Sequence, residues 1–187
     1  MASAFTHTFL PLAAGKLIFP EKMPRRFWLL GMACSVLPDL DVIAFRLGIP
    51  YRHILGHRGF SHSLLFAVLA GLVVALLAFR DVPRFSSRWW KLAAYFIAVT
   101  ASHGVLDAMT TGGYGIGFFI PFDNTRYFLP WRPLVVSPIG VHGFFSRWGW
   151  RVITSELLWV WLPLLFLLSG ITVFRKRSNH TSEHRSI

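Results

Sequence analysis

Acidic residues are scarce in this chain of 187 residues: eight Asp and Glu stand against nineteen Lys and Arg, and charged residues of both signs reach only 14%. A soluble domain of this length carries about a quarter of its residues as charged side chains, so this composition excludes an ordinary water-facing surface. Cysteine is reduced to Cys34, which has no partner within the chain, and a disulfide framework is thereby excluded. There is no internal repeat, polar tract or Gly/Ser linker, which leaves a single membrane domain over residues 1–174 and a basic tail over 175–187. No packed structure is expected of that tail. The N-terminus lacks both a basic leader and a small-residue cleavage site, so a cleaved signal peptide is not expected. The net charge of +11 is broken up by apolar spans and forms no continuous stripe, which argues against nucleic acid as the partner.

What the chain does have is apolar length, with 54% hydrophobic residues. A spanning helix needs about 20 predominantly apolar residues. Ser61–Phe79 and Val152–Phe174 meet this with one ionisable residue each. Leu92–Met109 and Phe27–Phe45 are further spans with polar ends, and Ala2–Phe19, which contains His7, Pro11 and Lys16, is the weakest of the five. Between Gly112 and Arg151 the repeated Gly and Pro exclude a regular spanning helix, so this region reads as an interfacial or re-entrant cap. The fold expected is all-α, a polytopic helical bundle of about five membrane segments.

Twelve of the nineteen basic residues fall in three segments, Lys16–Arg26, Arg80–Lys91 and the tail. With five spans these share one face, and retention of positive charge assigns that face to the cytoplasm. The stretch from Asp39 to Ser61 and the Gly/Pro-rich cap then lie on the opposite, extracytoplasmic face.

Against this background Asp39, Asp41, Asp107 and Glu156 are conspicuous, because they sit inside or at the ends of apolar segments, where ionisable groups are costly unless paired, hydrated or bound to ions. His103 and Asp107 are four residues apart on a helix and project from one face. In the sequence PDLD the proline makes an irregular helix end of Asp39 and Asp41. HRGFSHS contributes His57, Arg58 and His62, with Ser61 placed to cap the following helix, and an arginine beside a helix N-terminus suits a phosphate or similar anion. His7 lies early in the first apolar segment, and Glu156 one turn inside the last. The plainer alternatives are a local His–Asp hydrogen bond, solvated acids at a helix end and a snorkelling arginine. Imidazole and carboxylate together suit zinc better than magnesium or calcium. At least seven such groups on one side exceed the four of a structural zinc, so a catalytic, multinuclear centre is expected. The metal ligands expected are His7, Asp39, Asp41, His57, His62, His103 and Asp107, with Arg58 and Glu156 as catalytic residues.

The order of His7, PDLD, HRGFSHS, SHGVLD, PWRPLVVSPIG and SELLWVWLP resembles the YdjM family of membrane-bound metal-dependent hydrolases over nearly the whole chain. More remotely it is similar to the all-helical zinc-dependent phospholipase C and single-strand nuclease superfamily. There an early histidine, an aspartate and a helical His-xxx-Asp pair help to hold a cluster of zinc ions that cleaves phosphoesters. The resemblance implies those roles for His7, for one of Asp39 or Asp41, for His57 or His62, and for His103 with Asp107. A further histidine that follows the His-xxx-Asp pair in the soluble enzymes is missing between Ala108 and Gly117, so one to three zinc ions are expected. The function implied is hydrolysis of a phosphoester, in a lipid or lipid-linked substrate, by metal-activated water at the bacterial cytoplasmic membrane. The alternatives are a metal-ion or proton transporter, a nuclease-type phosphodiesterase and a metal-stabilised scaffold.

Overall fold

A computed structural model describes residues 1–138 and 141–183, and its regular elements are all helical, with two isolated backbone bridges in place of strands among these residues. Helix α1 (Ala4–Ile18) starts at Ser3, whose hydroxyl accepts from the Thr6 amide. Helix α2 (Arg25–Val36) gives way to a 3-10 segment, Leu37–Val42, as the proline in PDLD predicts, and then to the short α3 (Ile43–Arg46). An irregular loop leads to α4 (Leu64–Ala78), and a polar turn leads to α5 (Ser87–Ala108). After a non-helical cap come α6 (Val141–Phe144) and α7 (Arg147–Glu156), then a π-helical turn, Leu157–Trp161, and α8 (Leu162–Glu183).

Helix α5 is the buried centre, packed against α4, α2 and α1. Gly71 makes the α4–α5 approach close, because a Cβ there would lie 2.5 Å from the Ile97 backbone nitrogen. An aromatic cluster fills the bundle toward its basic end: Phe27 stacks on Tyr95 at 4.5 Å, and the Tyr95 hydroxyl donates to the Pro11 carbonyl at 2.9 Å.

Among the described residues, two continuous stretches are long and apolar enough to cross a membrane, Arg25–Arg46 and Arg147–Arg175. In the second only 6% of the most apolar window is buried by the protein. Leucine, phenylalanine and tryptophan side chains left outside in this way have lipid as their natural solvent. The expected span at Ser61–Phe79 is shorter in the structure. Helix α4 has 15 residues, about 22 Å against a hydrocarbon core of about 30 Å, because Ser63 rather than Ser61 caps it. The cap region also ends sooner than expected, at Arg147, where Ser146 caps α7. Helix α8 continues past Phe174 to Glu183, so the start of the tail is helical where no structure was expected.

The bundle has two chemically different ends. Arg26 pairs with Asp81, Arg88 with Glu21, and Arg175 donates to the Leu17 carbonyl, so all three basic segments meet at one end. His7, Asp39, His62, His103 and Asp107 gather at the other. Along α1 alone, His7 and Lys16 are separated by nine residues, about 14 Å.

Candidate metal centre

Four short elements build the site. Helix α1 supplies His7, the 3-10 segment supplies Asp39 and Asp41, the loop before α4 supplies His57, Arg58 and His62, and the last two turns of α5 supply His103 and Asp107. His7, His57, Arg58, His62, His103 and Asp107 are all buried.

The hydrogen bonds at the rim fix which atoms point inward. His103 Nδ1 lies 2.7 Å from the Ser35 carbonyl, which can only accept, so Nδ1 carries a proton and Nε2 is the atom whose lone pair is free in the neutral ring. His62 Nδ1 lies 3.1 Å from Asp41 Oδ2 and 3.0 Å from Ser61 Oγ, while the Ser61 hydroxyl itself donates to Asp41 at 2.6 Å. The His62 proton is therefore also on Nδ1.

The two Nε2 atoms face each other at 3.1 Å. Asp39 Oδ1 is 3.2 Å from His103 Nε2 and 3.7 Å from His62 Nε2, and Asp107 Oδ2 is 3.8 Å from His62 Nε2. These four ligand atoms all lie within 4.8 Å of one another. Asp39 Oδ1 and Asp107 Oδ2 have no hydrogen-bond partner, and neither ring nitrogen of His7 has one. Tetrahedral coordination at about 2.1 Å spaces neighbouring donor atoms about 3.4 Å apart, so the observed separations bracket the spacing a zinc-type ion needs.

The remaining predicted residues fall around this focus. His7 stacks on His103 at 3.8 Å, and its Nε2 is 3.4 Å from Asp107 Oδ1. Asp41, expected as a ligand, is saturated: it accepts from His57 Nδ1 (2.6 Å), the Arg58 amide (3.0 Å), Ser61 Oγ and His62 Nδ1. Asp41, His57 and His62 also form a triangle of possible ligands, and the donors around Asp41 equally suit it to orienting the two rings.

Arg58 has a left-handed backbone (φ 63°) and a buried guanidinium. Its Nη1 donates to the Gly112 carbonyl at 2.8 Å and its Nη2 to Thr110 Oγ1 at 3.3 Å. Its Nε is 3.2 Å from Asp107 Oδ2 but is not aligned for a hydrogen bond. At the helix N-terminus expected to share an anion with Arg58, the Leu64 amide donates to the Phe118 carbonyl and the Phe66 amide to the Ser63 hydroxyl. Glu156 lies away from the ligand atoms: it accepts from the Ser3 amide, the Ser3 hydroxyl and the Thr6 hydroxyl at the start of α1. His142 is exposed, and His184 and the side chain of His180 lie outside the described residues.

A family model described as YdjM inner membrane protein matches residues 1–179. The chain belongs to this family. An inner membrane protein of Escherichia coli (strain K12), YbcI, is 37% identical over 178 residues, which covers 95% of this chain and all of that relative. No solved structure matches. Membership in the YdjM family places the chain among inner membrane proteins, and the convergent histidine and aspartate atoms provide a cluster able to hold a metal ion.

Several residues of this YdjM-family site escape sequence reasoning. Ser35 contributes only its backbone carbonyl, which no side-chain pattern reveals. Thr110 and Gly112 hold Arg58 from the segment after α5, and Gly113, at φ +91°, comes so near that a Cβ would lie 2.4 Å from Arg58 Nη1. The run TTGG at 110–113, directly after the His-xxx-Asp pair, is the signal that could have drawn attention to them.

Proposed function

We propose that this protein is a membrane-embedded metal-dependent hydrolase that cleaves a phosphoester of a lipid or lipid-linked substrate. The observation that carries the proposal is the convergence of bare acceptors at one buried point. In their neutral forms the His62 and His103 rings turn two lone pairs on each other at 3.1 Å, with two carboxylate oxygens beside them, an arrangement that is repulsive unless positive charge lies among them. A single proton serves one ring and one oxygen. A divalent cation serves all four, which favours His62, His103, Asp39 and Asp107 as its ligands, with the unbonded His7 beside them. When bound, an ion of the zinc type supplies Lewis acidity, polarising a phosphoryl oxygen and acidifying water near neutral pH.

The chain's own residues supply the rest. Asp41 holds the rings of His57 and His62 in fixed tautomers. His57 and Arg58 line a pocket of about 160 Å³ together with Tyr51, Gly113 and Ser137. That volume admits a phosphate-sized group rather than folded nucleic acid. Within it, the Arg58 guanidinium neutralises the anionic group. A site within a membrane-embedded bundle favours a substrate that is itself in the membrane.

Purified protein in detergent tests the reading. Elemental analysis is expected to find at least one equivalent of zinc or a similar metal, and phospholipid or lipid-linked phosphate is expected to be hydrolysed in a chelator-sensitive manner. Metal-free protein that neither binds zinc nor turns over any such ester would overturn it. Ion uptake into proteoliposomes without hydrolysis would favour the transport alternative.

A further inference from the structure

We propose that the basic end of the bundle, remote from the His/Asp cluster, binds one anionic phospholipid, with its headgroup between the α1–α2 turn and α8 and its acyl chain along the α1–α8 seam. The first observation is a cleft of about 770 Å³ walled by Lys16, Lys22, Arg25, Trp28, Thr172 and Arg175. Among the described residues four cations line it against one acid, Glu21, which is 3.8 Å from Arg88 and so partly neutralised by it. Arg175 is held in place, since its Nη2 donates to the Leu17 carbonyl at 2.8 Å.

The second observation is continuity. The cleft shares Lys16, Thr172 and Arg175 with a neighbouring groove of about 470 Å³ whose further walls are Leu17, Leu165, Leu168 and Ile171. That groove shares Leu165 and Ser169 with an apolar surface hollow at Leu158, Leu162 and Phe166. From Arg175 back to Leu158 the surface therefore passes from cationic to wholly apolar over 17 residues, about 25 Å of helix. A soluble anion uses only the first third of such a track. A phospholipid matches all of it, with phosphate at the cations and hydrocarbon along the leucines, and the excess positive charge selects an anionic headgroup over a zwitterionic one.

The test uses the full chain purified in detergent, exchanged with phosphatidylglycerol or phosphatidylcholine and examined by native mass spectrometry. One phosphatidylglycerol is expected to be retained at least about tenfold better than phosphatidylcholine. The combined variant Lys16→Gln/Arg25→Gln/Arg175→Gln is expected to lose that preference. Arg80→Gln/Arg84→Gln/Lys91→Gln, which removes equal charge from the α4–α5 turn and the first turns of α5, is expected to keep it. Should the first variant lose helical content, the exposed Lys22→Glu gives the same comparison. Equal retention of the two lipids, equal loss in both triple variants, or displacement of the lipid by glycerol phosphate would overturn the proposal. None of these measurements depends on metal or on hydrolysis.

Discussion

His62 and His103 point their Nε2 atoms at each other across 3.1 Å, with Asp41 and the Ser35 carbonyl placed to hold a proton on each Nδ1. An arrangement that would be repulsive for two neutral rings becomes favourable around a cation, and it sets the first expectation. His62→Ala, His103→Ala and Asp107→Ala should each remove most of the bound metal while leaving helical content intact. The double change His103→Ala/Asp107→Ala should cost little more than either single change, because the ligands act as a unit. Elemental analysis beside far-UV circular dichroism checks this, and full occupancy in the single variants would reduce the cluster to a hydrogen-bonded network.

Asp41 should behave differently from Asp39. Its oxygens are occupied by His57, Arg58, Ser61 and His62, so Asp41→Asn should weaken metal binding by about 10- to 100-fold through misorientation of the rings rather than abolish it. Asp39→Asn removes an oxygen 3.2 Å from His103 Nε2 and should have the larger effect. Titration against a competing chelator ranks the two, and the reverse order would make Asp41 the ligand.

Arg58 is expected to matter to turnover more than to metal retention, since a guanidinium cannot ligate a cation. Arg58→Lys should retain metal yet lose a substantial part of kcat/KM, because an ammonium cannot reach Gly112 and Thr110 together. Gly113→Ala should act through the same contact. Its φ of +91° and its closeness to Nη1 predict a loss of about 1–3 kcal/mol. Gly48→Ala has a φ of +71° but open space around it, so it carries the backbone strain without the contact and serves as the control. Thermal unfolding and turnover of the pair separate backbone strain from displacement of Arg58.

Glu156 is expected to hold α1 in place rather than to touch substrate. Its carboxylate accepts three hydrogen bonds from Ser3 and Thr6, one turn before His7. Glu156→Ala should cost on the order of 2 kcal/mol or more and loosen metal binding in proportion. Glu156→Gln, which keeps the shape and one acceptor, should recover much of both. Complete loss of turnover in a stable, metal-replete Glu156→Gln protein would instead assign it a chemical role.

Orientation in the membrane is testable by cysteine labelling, since Cys34 is buried. Ser87→Cys, at the basic end, should react with a membrane-impermeant maleimide only from the cytoplasmic side. Tyr114→Cys, at a position 55% exposed beyond the end of α5, should react only from the other side. The opposite result would invert the assignment drawn from the basic residues.

Composition and periodicity by themselves determined that this chain is an all-helical membrane protein, because 54% hydrophobic residues with so few charges have no other solvent. They also marked His7, Asp39, His62, His103 and Asp107, since an ionisable group in an apolar segment is costly wherever the chain leads it. Spacing could not say which oxygen is free and which is occupied. Asp39 and Asp41 are two residues apart in one motif, and only the packing of the loop before α4 against the 3-10 segment saturates Asp41 with donors while leaving Asp39 Oδ1 bare. Likewise Glu156 reads as a buried acid like the others until the fold sets it beside Ser3, 153 residues away. Local chemistry decides which residues are costly to bury; the long-range contacts that meet that cost are settled by tertiary structure, because each partner comes from a distant turn of chain.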